Sequence, residues 1–540
     1  MKIFKFAKPY LFSHIFLLAI YVLLTLLTTL ISIASPYITG NFLDNLILDA
    51  SIEVVIMFCV IFGTLNISSV VINYISSLLY IKVQTSMIFG LNHSMIKHVQ
   101  NLSLSFINKN DSAYLAQRVN NDSSEIILFC MNILRNLIIN VLLLIVPFVI
   151  LFAMNWVIGL VFFAFILVYC ILYFVFKKPL YNANFDYKEK QSKFFSSIYE
   201  QFSHIKLIKL NSIQNEFLGR LSTSFKGIQT SAINKQKISH LFYGSDSIVS
   251  TLAQIALFII GGIQILRGNF TIGMFTIFSS YFNLLISAVR YFFSVSALYQ
   301  QTLVAFNRHS ELIAKNQESV GNIHIDNINK ISLENVNFSY SDKKILNQLS
   351  IRFEKGHIYG IAGHNGSGKS TLVNLLMGMY IDEKEGVISY NDTDINNINM
   401  THARKHLISF AEQEPRLVNG TIRYNISFNE DNINLTLFEK YIDILNMDDF
   451  INKSLIDSYT INDGNTNTSG GEKQKISILR TLYHDTPVMI FDEPTSALDI
   501  QSSQKFIDYL NTIKTNKIII IVTHDEQIIN KCTKVIHLDS

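Results

Sequence analysis

The sequence predicts a two-part chain: an N-terminal all-α transmembrane domain of six helices with long cytoplasmic extensions, then a C-terminal α/β domain with a helical subdomain. Three observations carry this expectation. Of the 540 residues, 49% are hydrophobic and only 16% charged, which is low for a soluble protein of this size. The apolar residues collect in long runs before about residue 305. Beyond that point, short apolar runs alternate with polar turns, as in a globular domain. The membrane part is placed at 1–310 and the globular part at 331–540.

Charge and cysteine usage narrow the class. A net charge of +3 gives no reason to expect a nucleic-acid partner. Cys59, Cys130, Cys170 and Cys532 show no paired spacing, so they read as buried thiols in a reducing setting rather than a disulfide or zinc framework. The basic start MKIFKFAKPY resembles a signal peptide, but the apolar run after it is too long and IASPYITG offers no clear cleavage site. It is read as a retained first span.

A helix crossing the hydrocarbon core needs roughly 20 apolar residues. Six segments qualify, at about 11–35, 54–81, 134–154, 156–176, 244–266 and 272–296. Loop charge orients them. Lys2, Lys5 and Lys8 precede the first span, and the loop 36–53 has no Lys or Arg. Lys82, Lys97, Lys109 and Arg118 follow the second span, the AMNW turn is uncharged, and 177–240 carries eleven basic residues. Both termini are therefore expected in the cytoplasm, with Arg267 a mild exception. The two basic loops are far longer than a turn needs and keep helical periodicity, at Leu91, Met95, His98 and Leu102 and at Phe194, Ile198, Phe202 and Ile205. Such helices would project tens of ångströms from the bilayer, as suits transmission of force from a soluble part. Polar residues within the spans leave two readings open. Asn132, Asn136 and Asn140 share one helix face with Arg135 nearby, and Asn66 and Asn73 do the same on span two. They serve either interhelical hydrogen bonding or a polar cavity wall. Arg290, in the last span, either lines a pathway or pairs structurally.

In the second part, GHNGSGKST follows the apolar strand 358–361 and opens a helix. It fits G-x-x-x-x-G-K-[ST] in the strand–loop–helix setting that pattern requires. Gly363, His364, Asn365, Gly366, Ser367, Gly368, Lys369, Ser370 and Thr371 would form the loop, with backbone N–H groups turned toward phosphate oxygens. Lys369 would reach the terminal phosphates and Ser370 a magnesium ion. Downstream, the buried strand 488–491 delivers Asp492 and Glu493 at its C-terminal end, where α/β sheets place ligands. One acid near Mg²⁺ and one poised to orient or deprotonate water is what in-line phosphoryl transfer needs. His524 follows another apolar strand, within reach of a γ-phosphate.

Together these residues resemble the ATP-binding-cassette (ABC) transporter family, and the membrane half is similar to its six-span type IV (formerly type I) bacterial exporters. The resemblance implies an α/β P-loop ATPase domain with a helical subdomain. It identifies 363–371 as Walker A, Gln413 as the Q-loop glutamine that reaches Mg²⁺, and 488–493 as Walker B plus the catalytic glutamate. Ser496–Asp499 matches the D-loop, His524 the switch histidine, and Tyr340 the aromatic that stacks on adenine. In the membrane part, Pro36–Gly40–Asp44, LAQRVNND, IKLIKLNSIQNEF and GNFTIGMF resemble the exporter group's span ends and coupling regions.

The resemblance further implies ATP and Mg²⁺ as cofactors, a cell-membrane location, and a dimer with a second half-transporter chain, either a second copy or a paralogue. Each ATP would lie between one chain's Walker A loop and the other's Ser469-Gly470-Gly471. Thr468 and Glu472 depart from the usual Leu-Ser-Gly-Gly-Gln, and Asp463 departs in the lead-in, so a degenerate site in a heterodimer stays open. The first span begins almost at once, so no leader-peptidase domain is expected. The implied activity is ATP-driven export, with peptides such as bacteriocins ranked first and lipids or amphipathic drugs next. Import by an exporter-like chain and an ATP-dependent regulator are the rivals.

Overall fold

The computed structural model describes residues 2–49, 51–110, 112–154, 156–315, 317–340, 343–428, 434–447, 451, 456–461 and 468–538. The chain divides into two compact units, Met1–Gln100 with Asn110–Lys315 and Asn101–Lys109 with Asn316–Ser540.

The first unit is helical. It contains α1 (Lys2–Phe12), α2 (Ile15–Asp49) and α3 (Ile52–Gln100). The short α4 (Leu104–Lys109) belongs to the other unit. After it come α5 (Ser112–Met154), α6 (Trp156–Ser203), α7 (Ile205–Asn211), α8 (Gln214–Leu266) and α9 (Ile272–Ile313). Among the described residues, six helices are long and apolar enough to cross a membrane. Helix is the natural form there, because hydrocarbon offers backbone groups no partner outside their own segment. The 49 residues of α3 make a rod about 70 Å long, more than twice the ~30 Å hydrocarbon core. Its surplus length matches the long helical extension expected from the sequence. The apolar stretch of α3 is not buried within the chain, as befits a lipid-facing surface.

Close packing at two glycines explains the Pro36–Gly40–Asp44 pattern. A Cβ on Gly40 would lie 2.2 Å from Ile277 and 2.6 Å from the Gly273 carbonyl, and one on Gly273 would lie 2.1 Å from the Gly40 carbonyl. Small residues thus let α2 and α9 meet backbone to backbone. One turn on, Asp44 accepts from the Thr271 hydroxyl at 2.6 Å and from the Gly273 N–H at 2.8 Å, satisfying donors at the start of α9. Tyr281, fully buried on α9, donates to the Ile33 carbonyl of α2 at 2.9 Å. Toward the helix ends, Lys188 pairs with Glu125 at 2.9 Å and Arg308 with Asp122 at 3.3 Å, joining α6 and α9 to α5.

The asparagine rows bond along their own helices. The Asn136 amide donates to Asn132 at 2.8 Å and the Asn140 amide to the Asn136 carbonyl at 2.7 Å. Asn66 donates to the Phe62 carbonyl and Asn73 to Ser69. The interhelical bonding weighed from spacing is thus replaced by bonding one turn back, since an amide side chain reaches i−4 without help from a neighbour.

Among its described residues the second unit holds two larger sheets and one two-stranded pair. An antiparallel sheet, ordered β2-β1-β4-β5, contains β1 (Lys330–Tyr340), β2 (Lys343–Glu354), β4 (Glu385–Tyr390) and β5 (Thr393–Asp394). A parallel sheet, ordered β11-β3-β10-β9-β6, contains β3 (His357–Ala362), β6 (Ile408–Ala411), β9 (Val488–Asp492), β10 (Ile518–Val522) and β11 (Lys534–His537). All five residues of β10 are buried, as expected of a parallel strand covered on both faces. Helices α10 (Lys369–Leu376), α11 (Met400–His406), α14 (Gly470–Tyr483), α15 (Ile500–Ile513) and α16 (Glu526–Ile529) flank these strands in the chain. The segment between β6 and α14 adds α12 (Ile422–Ser427), α13 (Leu435–Leu445) and the small pair β7 (Gly420–Thr421) and β8 (Thr460–Ile461). Leu104 of α4 packs on this unit's core, and Asn108 donates to the Tyr380 hydroxyl at 3.3 Å.

Candidate nucleotide-hydrolysis site

Strand register brings the site together. In the parallel sheet Ile361 pairs with Val522, Val522 with Asp492, and Ala411 with Phe491. The residues one or two past the ends of β3, β10, β9 and β6 therefore leave one edge side by side: Gly363, His524, Glu493 and Gln413. This is the carboxyl edge of a parallel sheet, where ligands bind.

The loop after β3 is shaped by glycine. Gly366 and Gly368 have φ of 88° and 94°, a region costly for residues with a Cβ. A Cβ on Gly368 would also meet Ile345 and Leu346 at 2.9 Å. Lys369 opens α10, and its ammonium folds back to the carbonyls of Gly363 at 2.7 Å and His364 at 3.1 Å. Its charge is thereby held at the loop's centre. His364, Asn365, Gly366 and Ser370 are exposed, while Ser367 and Thr371 are buried. The Ser367 hydroxyl oxygen is buried without a hydrogen-bond partner. An oxygen-rich ligand seated in the loop would answer that unmet capacity.

Two acids stand beside the loop. Burial first, and then the neighbouring Glu493, push the Asp492 carboxyl up to about 6, against a lowering by Lys369. A divalent cation would remove that penalty, and the oxygen-only set of Ser370, Gln413 and Asp492 suits a hard ion such as Mg²⁺. Gln413 is exposed just past β6.

Glu493 is the most constrained residue of the site. It is 8% exposed and sits at φ 49°, ψ 47°, a left-handed conformation that a side chain disfavours. Several contacts hold it there. Its N–H donates to the Val522 carbonyl at 2.8 Å. Its carbonyl accepts from the Gln474 amide at 2.7 Å and the Ser496 hydroxyl at 3.0 Å. Its carboxylate meets His524 Nδ1 at 2.8 Å and accepts from the Thr523 hydroxyl at 3.3 Å. Gln474, 4% exposed, also accepts from Ser496 at 2.8 Å. Sequence reading passed over Gln474. The available signal was its place on the buried face of α14, one turn before Ile478, where an amide needs partners.

The Ser-Gly-Gly stretch forms the N-terminus of α14. Ser469 is the cap: its hydroxyl accepts from the Glu472 N–H at 3.2 Å, and its own N–H donates to the Glu472 carboxylate at 2.6 Å. This reciprocal capping box gives Glu472 a local structural role. No Cβ clash exists at Gly470, so the approach to its backbone is open. Asp463 lies outside the described residues. Asp499 caps α15, accepting from the N–H and hydroxyl of Ser502 at 2.8 and 2.9 Å, and those bonds hold its carboxyl down at about 2. Tyr340 is 41% exposed, its ring edge-on to Phe338 at 4.9 Å and to Tyr380 at 5.7 Å.

A parallel-sheet domain with a glycine loop and paired acids, joined in one chain to helices of which six, among the described residues, are long and apolar enough to cross a membrane, defines a membrane protein with an ATPase-type domain. The family model for the ABC transporter transmembrane region matches residues 18–289, and the ABC transporter family model matches 346–496. The chain belongs to the ABC transporter family. An export ATP-binding/permease protein named in Rickettsia bellii is 32% identical over 65% of this chain, and the aligned stretch spans 62% of that relative. The microcin-J25 export ATP-binding/permease protein McjD of Escherichia coli is 26% identical over 93% of this chain and 87% of its own length. The fold is similar to that of a bacterial Atm1-family ABC exporter solved with ATP bound, with TM-score 0.86, 20% identity, and coverage of 96% and 92% of the two chains.

Proposed function

We propose that the chain is one half of an ATP-driven exporter, in which two cassettes bind and hydrolyse ATP to move an amphipathic cargo, a peptide first of all, out of the cytoplasm. The observation that carries this reading is the hydrolytic pair, Glu493 held 2.8 Å from His524 beside the Lys369 loop. A purely ATP-bound switch has no use for a positioned base.

In this reading Tyr340 stacks on adenine, and Gly363 to Thr371 wrap the phosphates with Lys369 on the terminal ones. Ser370, Gln413 and Asp492 hold Mg²⁺, which when bound draws charge off the phosphates. Glu493 orients and deprotonates the attacking water, and His524 holds the Glu493 carboxylate and meets the γ-phosphate. Ser469, Gly470 and Gly471 of a second half-transporter chain close over that phosphate, with Asp499 fixing the adjoining turn. ATP favours the closed dimer and hydrolysis releases it, so the spans alternate between inward-open and outward-open populations. Peptide cargo is supported by the likeness to a microcin exporter.

The test is ATP hydrolysis by purified protein in proteoliposomes, with Glu493→Gln as control. Mg²⁺-dependent turnover that falls at least 100-fold in Glu493→Gln, with ATP binding retained, is the expected result. Turnover unaffected by the substitution would overturn the assignment.

A further inference from the structure

The charged residue of the last span is neither unpaired nor sealed. Arg290 on α9 meets Asp246 on α8 through Nε at 2.8 Å. The Asp246 side chain is 14% exposed, but that of Arg290 is 44% exposed. Both line a cavity of about 300 Å³ within the helical unit, walled also by Tyr169, Phe242, Tyr243 and Ser247. Tyr169, 4% exposed, donates to the Asp246 backbone carbonyl at 3.4 Å, fixing one aromatic wall from α6.

Four features of this cavity bear on what it takes. A lone charge inside a membrane domain is costly, and Asp246 offsets that cost when the cavity is empty. Asp246 meets Arg290 at Nε, the Arg290 side chain stays 44% exposed at the cavity wall, and the planar fork of a guanidinium matches a carboxylate. Three aromatic rings make the remaining wall suited to an apolar or aromatic group. The volume lies at the small end of ligand sites, so it holds the end of a cargo and not the whole of it.

We propose that this cavity binds the carboxylate end of an amphipathic cargo, with Arg290 taking the carboxylate, Asp246 holding Arg290 in place, and Tyr169, Phe242 and Tyr243 covering the adjoining apolar group. The inference rests on the export reading and gives it a cargo chemistry. A peptide C-terminus and a fatty acid share that chemistry.

The experiment is equilibrium binding to the full chain in lipid nanodiscs without ATP, so a failure of the ATPase assignment leaves it intact. The probes are N-acetyl-leucyl-phenylalanine against its C-terminal amide, and dodecanoate against dodecanamide. The expected result is at least tenfold tighter binding of an acid than of its amide, a preference lost in Arg290→Gln and partly restored in Arg290→Lys. Preference confined to the peptide acid identifies a peptide C-terminus as the source, and preference confined to dodecanoate identifies a fatty acid. Equal binding of acid and amide, no binding of either acid, or an acid preference that survives Arg290→Gln would each overturn the proposal. Thermal unfolding of Arg290→Gln and Arg290→Lys shows whether a loss reflects folding, and the acid-to-amide ratio within each variant is insensitive to the folded fraction.

Discussion

His524 Nδ1 lies 2.8 Å from the Glu493 carboxylate, and the two side chains differ sharply in setting: that of Glu493 is 10% exposed and that of His524 78%. The contact spans the ends of β9 and β10, so it depends on the parallel register of those strands. An exposed imidazole is free to move when phosphate arrives, while the buried acid stays in place. His524→Ala is expected to lower kcat by about 100–10,000-fold, the range of a lost acid–base partner, with little change in KM for ATP. Steady-state ATPase kinetics check this.

Gln474 links two motifs that were read from the sequence separately. Its amide holds the Glu493 carbonyl, and its carbonyl oxygen holds Ser496. Removing it strands buried polar partners, at roughly 1–3 kcal/mol, and loosens the left-handed turn at Glu493. Gln474→Leu is expected to reduce kcat at least tenfold while leaving nucleotide affinity within a few-fold. Fluorescent-nucleotide binding beside ATPase kinetics separates this from a general loss of fold.

Glu472 replaces the glutamine of the usual signature, and the structure accounts for the acid by the capping box with Ser469. A glutamine at this position closes the same box, so Glu472→Gln is expected to change turnover and stability only mildly. Glu472→Ala breaks it and is expected to cost about 1 kcal/mol, read as a lower Tm. A large gain of turnover in Glu472→Gln would instead mark a site slowed by its acid.

Asp492 carries a folded-state value of about 6 against an ordinary 3.8, raised chiefly by burial. The sign follows directly: the folded state holds this proton more tightly, so a stability that is fully present below the unfolded value of 3.8 is lost as pH rises through about 6, and the ionised carboxylate destabilises the nucleotide-free protein. With solvent screening of its partly exposed side, that amounts to ~1–2 kcal/mol at neutral pH. Asp492→Asn is expected to raise the Tm of the nucleotide-free protein at pH 7.5, not at pH 4, and to abolish Mg²⁺-dependent hydrolysis. Thermal melts at the two pH values decide it.

Gly40 and Gly273 place α2 and α9 in backbone contact, with Asp44 closing the end of α9. Gly40→Val is expected to force the helices apart and lower Tm by several degrees. Asp44→Asn retains one acceptor and is expected to be milder. Melting in detergent ranks the two.

Much of this protein was legible in its residue order. Six apolar segments of spanning length, the alternation of basic and bare loops, and the glycine loop ending in Lys369-Ser370 are local patterns with local causes, because hydrocarbon solvation and phosphate binding act on contiguous stretches. Tertiary structure decided what depends on residues far apart in the chain. Arg290 was open between pairing and lining a pathway. Folding places Asp246, forty-four residues away, against it at the wall of a cavity, so the arginine is paired and also faces a cavity. Spacing put the span asparagines on one face, but only the fold showed their amides turned back along their own helices. Gln474, Ser496, Glu493 and His524 come from three separate segments, and only sheet register and the packing of α14 bring them within hydrogen-bond distance. Short-range pattern carries propensity and solvation, whereas the pairing of buried polar groups is set by which distant partner the packed chain delivers.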